Sequence, residues 1–578
     1  MTSSTHPAWC VVGRGAEGRT ALVDLDARGE RLSSLEVGPA ELASVVSRRE
    51  AEARPRWVWS DTPTWYARLL AAGVTVSRCH DLRLIHAILR HSQLVRDGGA
   101  IRDAWDTPID QPPEDRSAGA TLFDLDASSA RTGGVPHDIE AALAELAHHR
   151  VAIDGAEDRG RLRLLVAAES AGALIAAELH AAGIPWDVAE HDRILAASLG
   201  PRPSPGQTPP QMAQTAAEVR TALGDPQLSI DSPPRLLRAL HRAEIDVEST
   251  SQWELASYDH PAIEPLLRYK KQSRLLTANG WAWIDEWVHE GRYRPVYVPG
   301  GVVTGRWASS GGGALQIPRQ LRPALRADDG WRLVSADVAQ LEPRVLAAMS
   351  GDRAMATAGA GKDLYSGIVD AGIVATRQEA KVGVLGALYG GTTGDSGRVV
   401  PRLRQNFPDA MRLVDGAAAT GERGGTVSTW LGRSSPAPEA AWTQNQTSAN
   451  LPDAVPGEQE RARRSARDRG RFTRNFVVQG TAAEWALSWL AALRLALAGF
   501  DPVPGTDAAH ASGPVFARRA HLAFFLHDEV IVHAPAAQAD AAADAIRAAA
   551  EAAGSLLFPG SPVDFPLDLT ITERSPAK

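Results

Sequence analysis

Cysteine is almost missing: Cys10 and Cys79 are the only two in 578 residues. Two thiols cannot build a disulfide framework or a four-cysteine zinc site, so free thiols in a reducing compartment are expected. Long apolar runs are missing too. No stretch reaches the roughly 18–20 apolar residues that a bilayer-spanning helix needs, and no membrane partner is expected. The first residues, MTSSTHPAWC, carry neither the basic nor the apolar segment that directs export, which points to a cytoplasmic chain. Lysine is the scarcest charged residue, supplying 5 of the 61 basic side chains, at 270, 271, 362, 381 and 578. A lysine inside a patterned segment is therefore a pointed choice. The net charge of −8 argues weakly against a nucleic-acid partner, although an average hides local fields.

What is present is ordinary for a globular protein: 44% hydrophobic and 22% charged residues, in a length that suits three or four domains of about 150 residues. Residues 8–95 read as an α/β unit. AWCVVGRG and TALVDLD form a hairpin pair, PAELASVVSRREAEA a helix, RWVWSD a strand, and TPTWYARLLAAG a helix capped by Thr62 with Pro63 in its first turn. A polar stretch runs to about residue 135. Helical periodicity follows from DIEAALAELAHHR to about residue 187, and PRPSPGQTPPQ (201–211) is an exposed connection. SPPRLLRALHRAEI and HPAIEPLLRYKKQSRLLTANGWAWIDEWV read as helices. From about 296 strands and helices mix, ending in an Ala-rich helix (536–554) and the strand DLTITER.

Four segments carry chemistry. In WRLVSADVAQLEPRVLAAMSGD (331–352) a strand ends in Asp337, with Glu342 one short turn later and Pro343 where a helix begins. An aspartate there is more often a helix cap than a ligand. In ATRQEAKVGVLGALYGG (375–391), Arg377, Lys381, Leu385 and Tyr389 recur every fourth residue and share one broad helical face. Two cations near a helix N-terminus suit a polyanion such as a triphosphate; a solvated basic face is the plainer reading. Gly383 and Gly386 weaken such a helix and imply close packing or motion. ERARRSARDRGRFTRNFVVQGTAAEWA (460–486) holds the densest arginine run, ahead of a helix whose Arg471, Asn475 and Gln479 form a stripe that can bond phosphates and base edges. Finally, FFLHDEVIVHAP (524–535) reads as one buried strand with His527, Asp528 and Glu529 in its middle. Buried carboxylates need partners. Asp337 and Asp528 together could hold two Mg²⁺ ions about 4 Å apart, the arrangement for in-line displacement at phosphorus.

In order, these segments resemble the polymerase module of family A DNA polymerases, the bacterial DNA polymerase I type. TGRWASSGGGALQIP (304–318) resembles TGRLSS…NLQNIP, DVAQLEPR (337–344) resembles DYSQIELR, and RQEAKVGVLGALYGG resembles RxxxKxxxFGxxYG. RFTRNFVVQGTAAE resembles R…N…QGTAAD, and HDE (527–529) the last catalytic motif; 230–245 and 266–276 resemble the thumb.

The resemblance implies an α+β multidomain fold: an N-terminal ribonuclease H-like α/β domain, then a right-hand polymerase with thumb, palm with antiparallel sheet, and helical fingers. The implied domains are an exonuclease-like domain (1–165), connecting helix and thumb (166–300), palm (301–352 and 479–578) and fingers (353–478). It implies template-directed addition of deoxynucleotides to a primer 3′ end. Asp337 and Asp528 would hold two Mg²⁺ (Mn²⁺ being the alternative ion), and Glu529 would support them. Arg377, Lys381, Gln340, Leu385 and Tyr389 would bind the dNTP, Lys381 also serving as proton donor to pyrophosphate. Arg306, Arg471, Asn475, Gln479 and His527 would contact primer–template DNA. Glu342 would be the steric gate against a ribose 2′-OH. A monomer associated with the nucleoid, working in repair or replication, is expected.

Several positions depart from the family. Leu385 stands for an aromatic residue, Val338 for Tyr, Pro343 for Leu, and Tyr365 for a phosphate-binding His, while the Asn before the family's IP is missing. The N-terminal third lacks the DxE strand of a 3′–5′ exonuclease. Asp24 and Asp26 lie on a later strand, Trp65 stands near an expected carboxylate, and Asp81 matches one family aspartate. The expectation is a catalytically dead scaffold, with no 5′-nuclease domain. A bifunctional polymerase–exonuclease and a non-catalytic DNA-binding paralogue remain the alternatives.

Overall fold

The computed structural model describes residues 6–96, 137–313, 317–391 and 394–576. The expected polar stretch up to about 135 and residues 314–316 of the TGRW motif fall outside them. The chain divides into two compact units: residues 1–182, 296–310 and 330–571, and residues 183–295, 311–329 and 572–578. Among the described residues no helix is long and apolar enough to cross a membrane.

In the larger unit a five-stranded sheet has the order β3-β2-β1-β4-β5, with β1 Trp9–Arg14, β2 Thr20–Leu25, β3 Arg31–Val37, β4 Arg56–Trp59 and β5 Cys79–Asp81. The first three strands are antiparallel neighbours joined by short turns. β1–β4 and β4–β5 are parallel, and each parallel step needs a crossover, supplied by α1 (Leu42–Glu52) and α2 (Thr62–Ala71). β2 is buried along its whole length, which is why it reads as a continuous apolar run rather than an alternation. The edge strand β3 was not expected. Six of its seven residues are exposed, and pairing with β2 alone makes it a strand. α2 corrects another expectation: Asp61, not Thr62, is its N-cap, accepting from the Thr64 N–H at 3.0 Å. α3 (Leu82–His91), α4 (Ile139–Asp154) and α5 (Arg159–Ala182) complete this part.

The same unit contains a four-stranded sheet of order β7-β8-β6-β9, from β6 (Trp331–Val338), β7 (His521–Leu526), β8 (Glu529–Pro535) and β9 (Leu567–Thr572). FFLHDEVIVHAP is therefore not one strand but the end of β7, a two-residue turn at His527–Asp528, and β8. An apolar run cannot show where a chain doubles back when both arms are buried. α6 (Leu341–Ser350) and α7 (Arg377–Tyr389) follow β6. The arginine run is helical throughout: α8 spans Pro456–Ala498, 43 residues, so it starts earlier than expected. α9 (Ala539–Leu557) is fixed to it through Trp489, whose indole N–H donates to the Ile546 carbonyl at 3.1 Å. α5 lies close against α8: a Cβ on Gly172 would come within 2.8 Å of Leu487 Cδ2. Arg494 of α8 also pairs with Glu178 of α5 at 2.6 Å.

The smaller unit is mainly helical, with helices Val188–Leu199, Pro210–Ala222, Pro233–Arg242 and Ile263–Asn279 around a core that includes Leu236, Leu240, Leu266 and Tyr269. The single helix expected over 260–288 is broken at Gly280, whose extended backbone starts a second helix, Trp281–Trp287.

Candidate functional site

Two antiparallel pairings assemble the acids. In β6·β8, Asp337 stands opposite Glu529, and in β7·β8, Leu526 stands opposite Glu529, leaving His527 and Asp528 as the turn. The Val338 N–H donates to the Asp528 carbonyl at 2.9 Å, which ties the end of β6 to that turn. His527 has φ of +56°, a left-handed conformation usually left to glycine at the first central position of such a turn. A histidine there costs of order 1–3 kcal/mol, and strain of this kind concentrates at functional positions. Burial raises the Asp528 carboxyl to about 6, and the Asp337 charge adds to the rise. Two hard oxygen donors that repel each other in a partly buried place are the donor chemistry of a divalent ion such as Mg²⁺. Glu529 is buried beside them on β8.

A cavity of about 230 Å³ opens in front of this turn, lined among others by Arg306, Gln340, Glu342, Leu385, Tyr389 and Asp528. Glu342, in the first turn of α6, organises its wall. It accepts from Arg306 Nη2 at 2.5 Å and from the Tyr389 hydroxyl at 2.7 Å. Burial and the Glu342 charge push the Tyr389 phenol up, so it stays a donor. His527 also lines the cavity; burial and the Arg306 charge lower its imidazole to about 4, which keeps it neutral.

α7 starts from a capping box, Thr376 accepting from the Glu379 N–H while Glu379 accepts back from the Thr376 N–H. Arg377 is not free: it bonds Asp363 through Nε at 3.2 Å and Nη2 at 2.8 Å, with its guanidinium 5.5 Å from the Tyr365 ring centroid. Gln340 Nε2 donates to the same carboxylate at 2.9 Å. Although burial pushes Asp363 up, its bonds from Arg377 and Ser366 hold it below the usual carboxylate range. Lys381 is exposed and makes no ion pair among the described residues. Gly383 and Gly386 answer to packing. A Cβ on Gly383 would meet Val399 Cγ1 at 2.2 Å, and one on Gly386 would meet Ser396 Cβ at 2.6 Å.

On α8, Arg471 pairs with Asp468, Asn475 is half-buried, and Gln479 Oε1 accepts from the Thr304 hydroxyl at 2.9 Å. The fold thus brings Arg306, Gln340, Glu342, Leu385, Tyr389, His527 and Asp528 around one cavity, with Asp337 and Glu529 at the adjoining strand ends. Asp363 and Arg344 were missed. Arg344 is buried and donates to the Gly359 and Lys362 carbonyls at 3.0 and 2.7 Å and to Asp564 Oδ1 at 2.7 Å, fixing the loops behind Gln340. The only signal for Asp363 was its place before a helix, where capping explains an aspartate equally well.

In the first sheet the acids are handled differently. Asp81 accepts from the Thr62 N–H and hydroxyl, each at 2.7 Å, and from the Leu84 N–H at 3.0 Å. Asp24 pairs with Arg49 at 2.9 Å and accepts from the Ser33 hydroxyl, while Asp26 accepts from backbone N–H groups of its own turn. The Trp65 indole donates to Ser60 at 3.0 Å. No described residue gathers these acids into a cluster.

The family model for DNA polymerase family A matches residues 207–572. Similar curated proteins are a thermostable DNA polymerase I of Thermus filiformis, 26% identical over 54% of this chain and 36% of its own length. Others are DNA polymerase I of Chloroflexus aurantiacus, 29% identical over 44% and 26%, and that of Thermus thermophilus, 30% over 41% and 29%. The chain thus spans between about a quarter and just over a third of the length of these curated relatives. Among solved structures, the POL domain of Pol1 from M. smegmatis, in complex with DNA primer-template and dNTP, aligns with a TM-score of 0.64 at 17% identity. That alignment covers 96% of this chain and 92% of the other, a likeness of fold.

Proposed function

The chain belongs to DNA polymerase family A, and from that premise we propose that it is a DNA-directed DNA polymerase adding deoxynucleotides to a primer 3′ end. One observation carries the proposal: Asp337 and Asp528 are held at one sheet end in front of a cavity whose wall is the Arg306–Glu342–Tyr389 network. Asp337 and Asp528 would hold Mg²⁺. When bound, the ions neutralise the two carboxylates and the charge that builds on the transferring phosphoryl group. The rest is positioning by the chain itself. Arg377 exchanges Asp363 for triphosphate oxygens, and Lys381 pairs with the triphosphate and gives a proton to the leaving pyrophosphate. Tyr389 stacks beneath the nascent pair and keeps Glu342 in place. Glu342 then fills the space that a 2′-OH would need, with Arg306 as its second anchor. Gln340 supports the dNTP end of the cavity, and Leu385 offers the sugar an aliphatic contact. Arg471, Asn475, Gln479 and neutral His527 face primer and template; Glu529 supports the metal site.

In this reading the first sheet and its helices form a ribonuclease H-like domain (1–165), supported by the strand order β3-β2-β1-β4-β5. Residues 166–300 are connecting helix and thumb, 301–352 and 479–578 the palm, and 353–478 the fingers. The N-terminal domain is a scaffold without exonuclease chemistry, because Asp24 and Asp81 are committed to internal partners. Extension of one labelled primer with dNTPs and with rNTPs in parallel tests the whole reading. Mg²⁺-dependent dNTP extension, lost in Asp337→Ala, is expected. Ribonucleotide use equal to deoxynucleotide use sinks the gate, and shortening of the primer that survives Asp528→Ala restores an active exonuclease.

A further inference from the structure

Away from the polymerase cavity, α3, α4 and β5 bury a group of imidazoles around a carboxylate. Glu145 of α4 is fully buried, as is His149 one turn later, and His86 of α3 is buried against both. Glu145 Oε1 lies 2.7 Å from His86 Nδ1 and 2.7 Å from His149 Nε2. His149 Nδ1 is 3.1 Å from Nε2 of buried His80 on β5. His148 Nδ1 approaches the second oxygen, Oε2, at 3.5 Å. One ligand atom from each of His86, Glu145 and His149 falls within 4.8 Å of the other two, and no other such group occurs among the described residues.

A buried carboxylate facing imidazoles is costly unless a positive charge stands among them. Hydrogen bonding meets that need only in part: His86 Nδ1 bonds Glu145 Oε1, whereas His86 Nε2 and His149 Nε2 are buried without an aligned partner. The His80–His149 contact is the kind of outer support that fixes a ligating ring's tautomer.

We propose that His86, Glu145 and His149 form a structural Zn²⁺ site that clips α3 to α4. Two imidazoles and a carboxylate suit Zn²⁺, whereas Mg²⁺ and Ca²⁺ take all-oxygen sets. Bonds of about 2.0–2.1 Å place tetrahedral ligand atoms roughly 3.3 Å apart, so the two 2.7 Å contacts of Glu145 lengthen by about 0.6 Å to admit the ion. The Glu145 second oxygen or a water fills the fourth position. The clip joins side chains 59 positions apart, His86 and Glu145, and closing so long a segment is where a cross-link stabilises most. His80 and Asp81 are consecutive on β5, so they point to opposite faces of the sheet: His80 meets His149, while Asp81 bonds Thr62 and Leu84. The start of α4 meets the end of β1, with a Cβ on Gly13 only 2.6 Å from Ile139 Cα. His149 is ten residues on, roughly 15 Å along the helix. There His80 packs edge-on against Trp9, at the beginning of β1.

The test uses the full chain, stripped with a chelator, dialysed and titrated with Zn²⁺ alone, bound metal being counted by mass spectrometry. A single tight equivalent is expected, retained in Asp337→Ala/Asp528→Ala and reduced to below about a tenth of an equivalent in Glu145→Gln/His149→Gln. Zn²⁺ is also expected to raise the melting temperature by several degrees, with no such rise in the double variant. Should that variant fail to fold, Co²⁺ loaded into the parent chain decides: the intense visible absorption of four-coordinate cobalt is expected. No retained zinc, an equivalent that disappears only with Asp337 and Asp528, or pale six-coordinate cobalt each overturns the proposal and leaves a His–Glu–His hydrogen-bonded core.

Discussion

Asp81 ends the buried strand β5 and Asp528 lies in the turn between buried β7 and β8, and burial raises the carboxyl of each. Their surroundings then part. Asp81 meets three donors from the starts of α2 and α3, the helices beside its own sheet. Asp528 meets another aspartate and a cavity. The first arrangement is complete and holds two helices to a sheet. In the proposed reading the second is completed by a cation, and its strained turn opens on the cavity. Carboxylate burial alone does not mark a catalytic site; what faces the carboxylate does.

The contrast is sharpest in activity. Asp337→Ala or Asp528→Ala is expected to lower the rate of primer extension by roughly 10³-fold or more, since several kcal/mol of charge stabilisation go with the metal. Primer–template affinity, measured by fluorescence anisotropy, should stay within about threefold, because phosphate contacts dominate it. Extension at the parental rate would remove the distinction between the two sheets. Glu342→Ala is expected next, relaxing discrimination between dNTPs and rNTPs by roughly 100-fold in competitive incorporation. It also leaves Arg306 and Tyr389 without their shared acceptor.

Asp81→Ala should move the other quantity. Loss of a cap and of a buried acceptor costs about 2–4 kcal/mol of stability in urea unfolding, with extension unchanged within about twofold. A fall in nuclease activity without a fall in stability would reverse the reading of the N-terminal domain.

Glu484 offers the smallest and most diagnostic effect, because it lies on α8 yet is handled as Asp81 is. It accepts from the Thr429 hydroxyl and from the Leu431 N–H at 2.9 Å, and burial raises it from 4.5 to about 7. Between those values the folded chain binds more protons than the unfolded chain, so stability falls as pH rises through the window. Glu484→Gln cannot titrate. Its stability relative to the parent should rise by roughly 1–3 kcal/mol from pH 4.5 to 8, read from unfolding midpoints across that range. An unchanged slope would place Glu484 with the charged groups rather than the structural ones.

Much of this was legible before any coordinates. Local periodicity and composition pointed to α7, α9 and the strand before Asp337, and the ordered motifs contained most of the residues around the cavity. The misses share a cause. β3 has no apolar face of its own and exists only through its pairing with β2. The turn at His527–Asp528 is hidden inside an apolar run because both of its arms are buried. Asp363, which holds Arg377 and Gln340, shows in sequence only as a helix cap.

By itself the sequence determined which residue types were on hand: two aspartates with strand ends to carry them, a helix face bearing Arg377 and Lys381, and a glutamate one turn after Asp337. Those depend on neighbours within a few residues, where backbone geometry translates spacing directly into position. Only the tertiary structure decided what each acid faces. Strand register set Asp337 opposite Glu529 and beside Asp528, and packing of distant helices gave Glu342 its arginine and tyrosine. The same long-range packing closed Asp81 off and gathered His86, Glu145 and His149, because contacts between residues far apart in the chain follow from how whole elements pack and leave no local period to read.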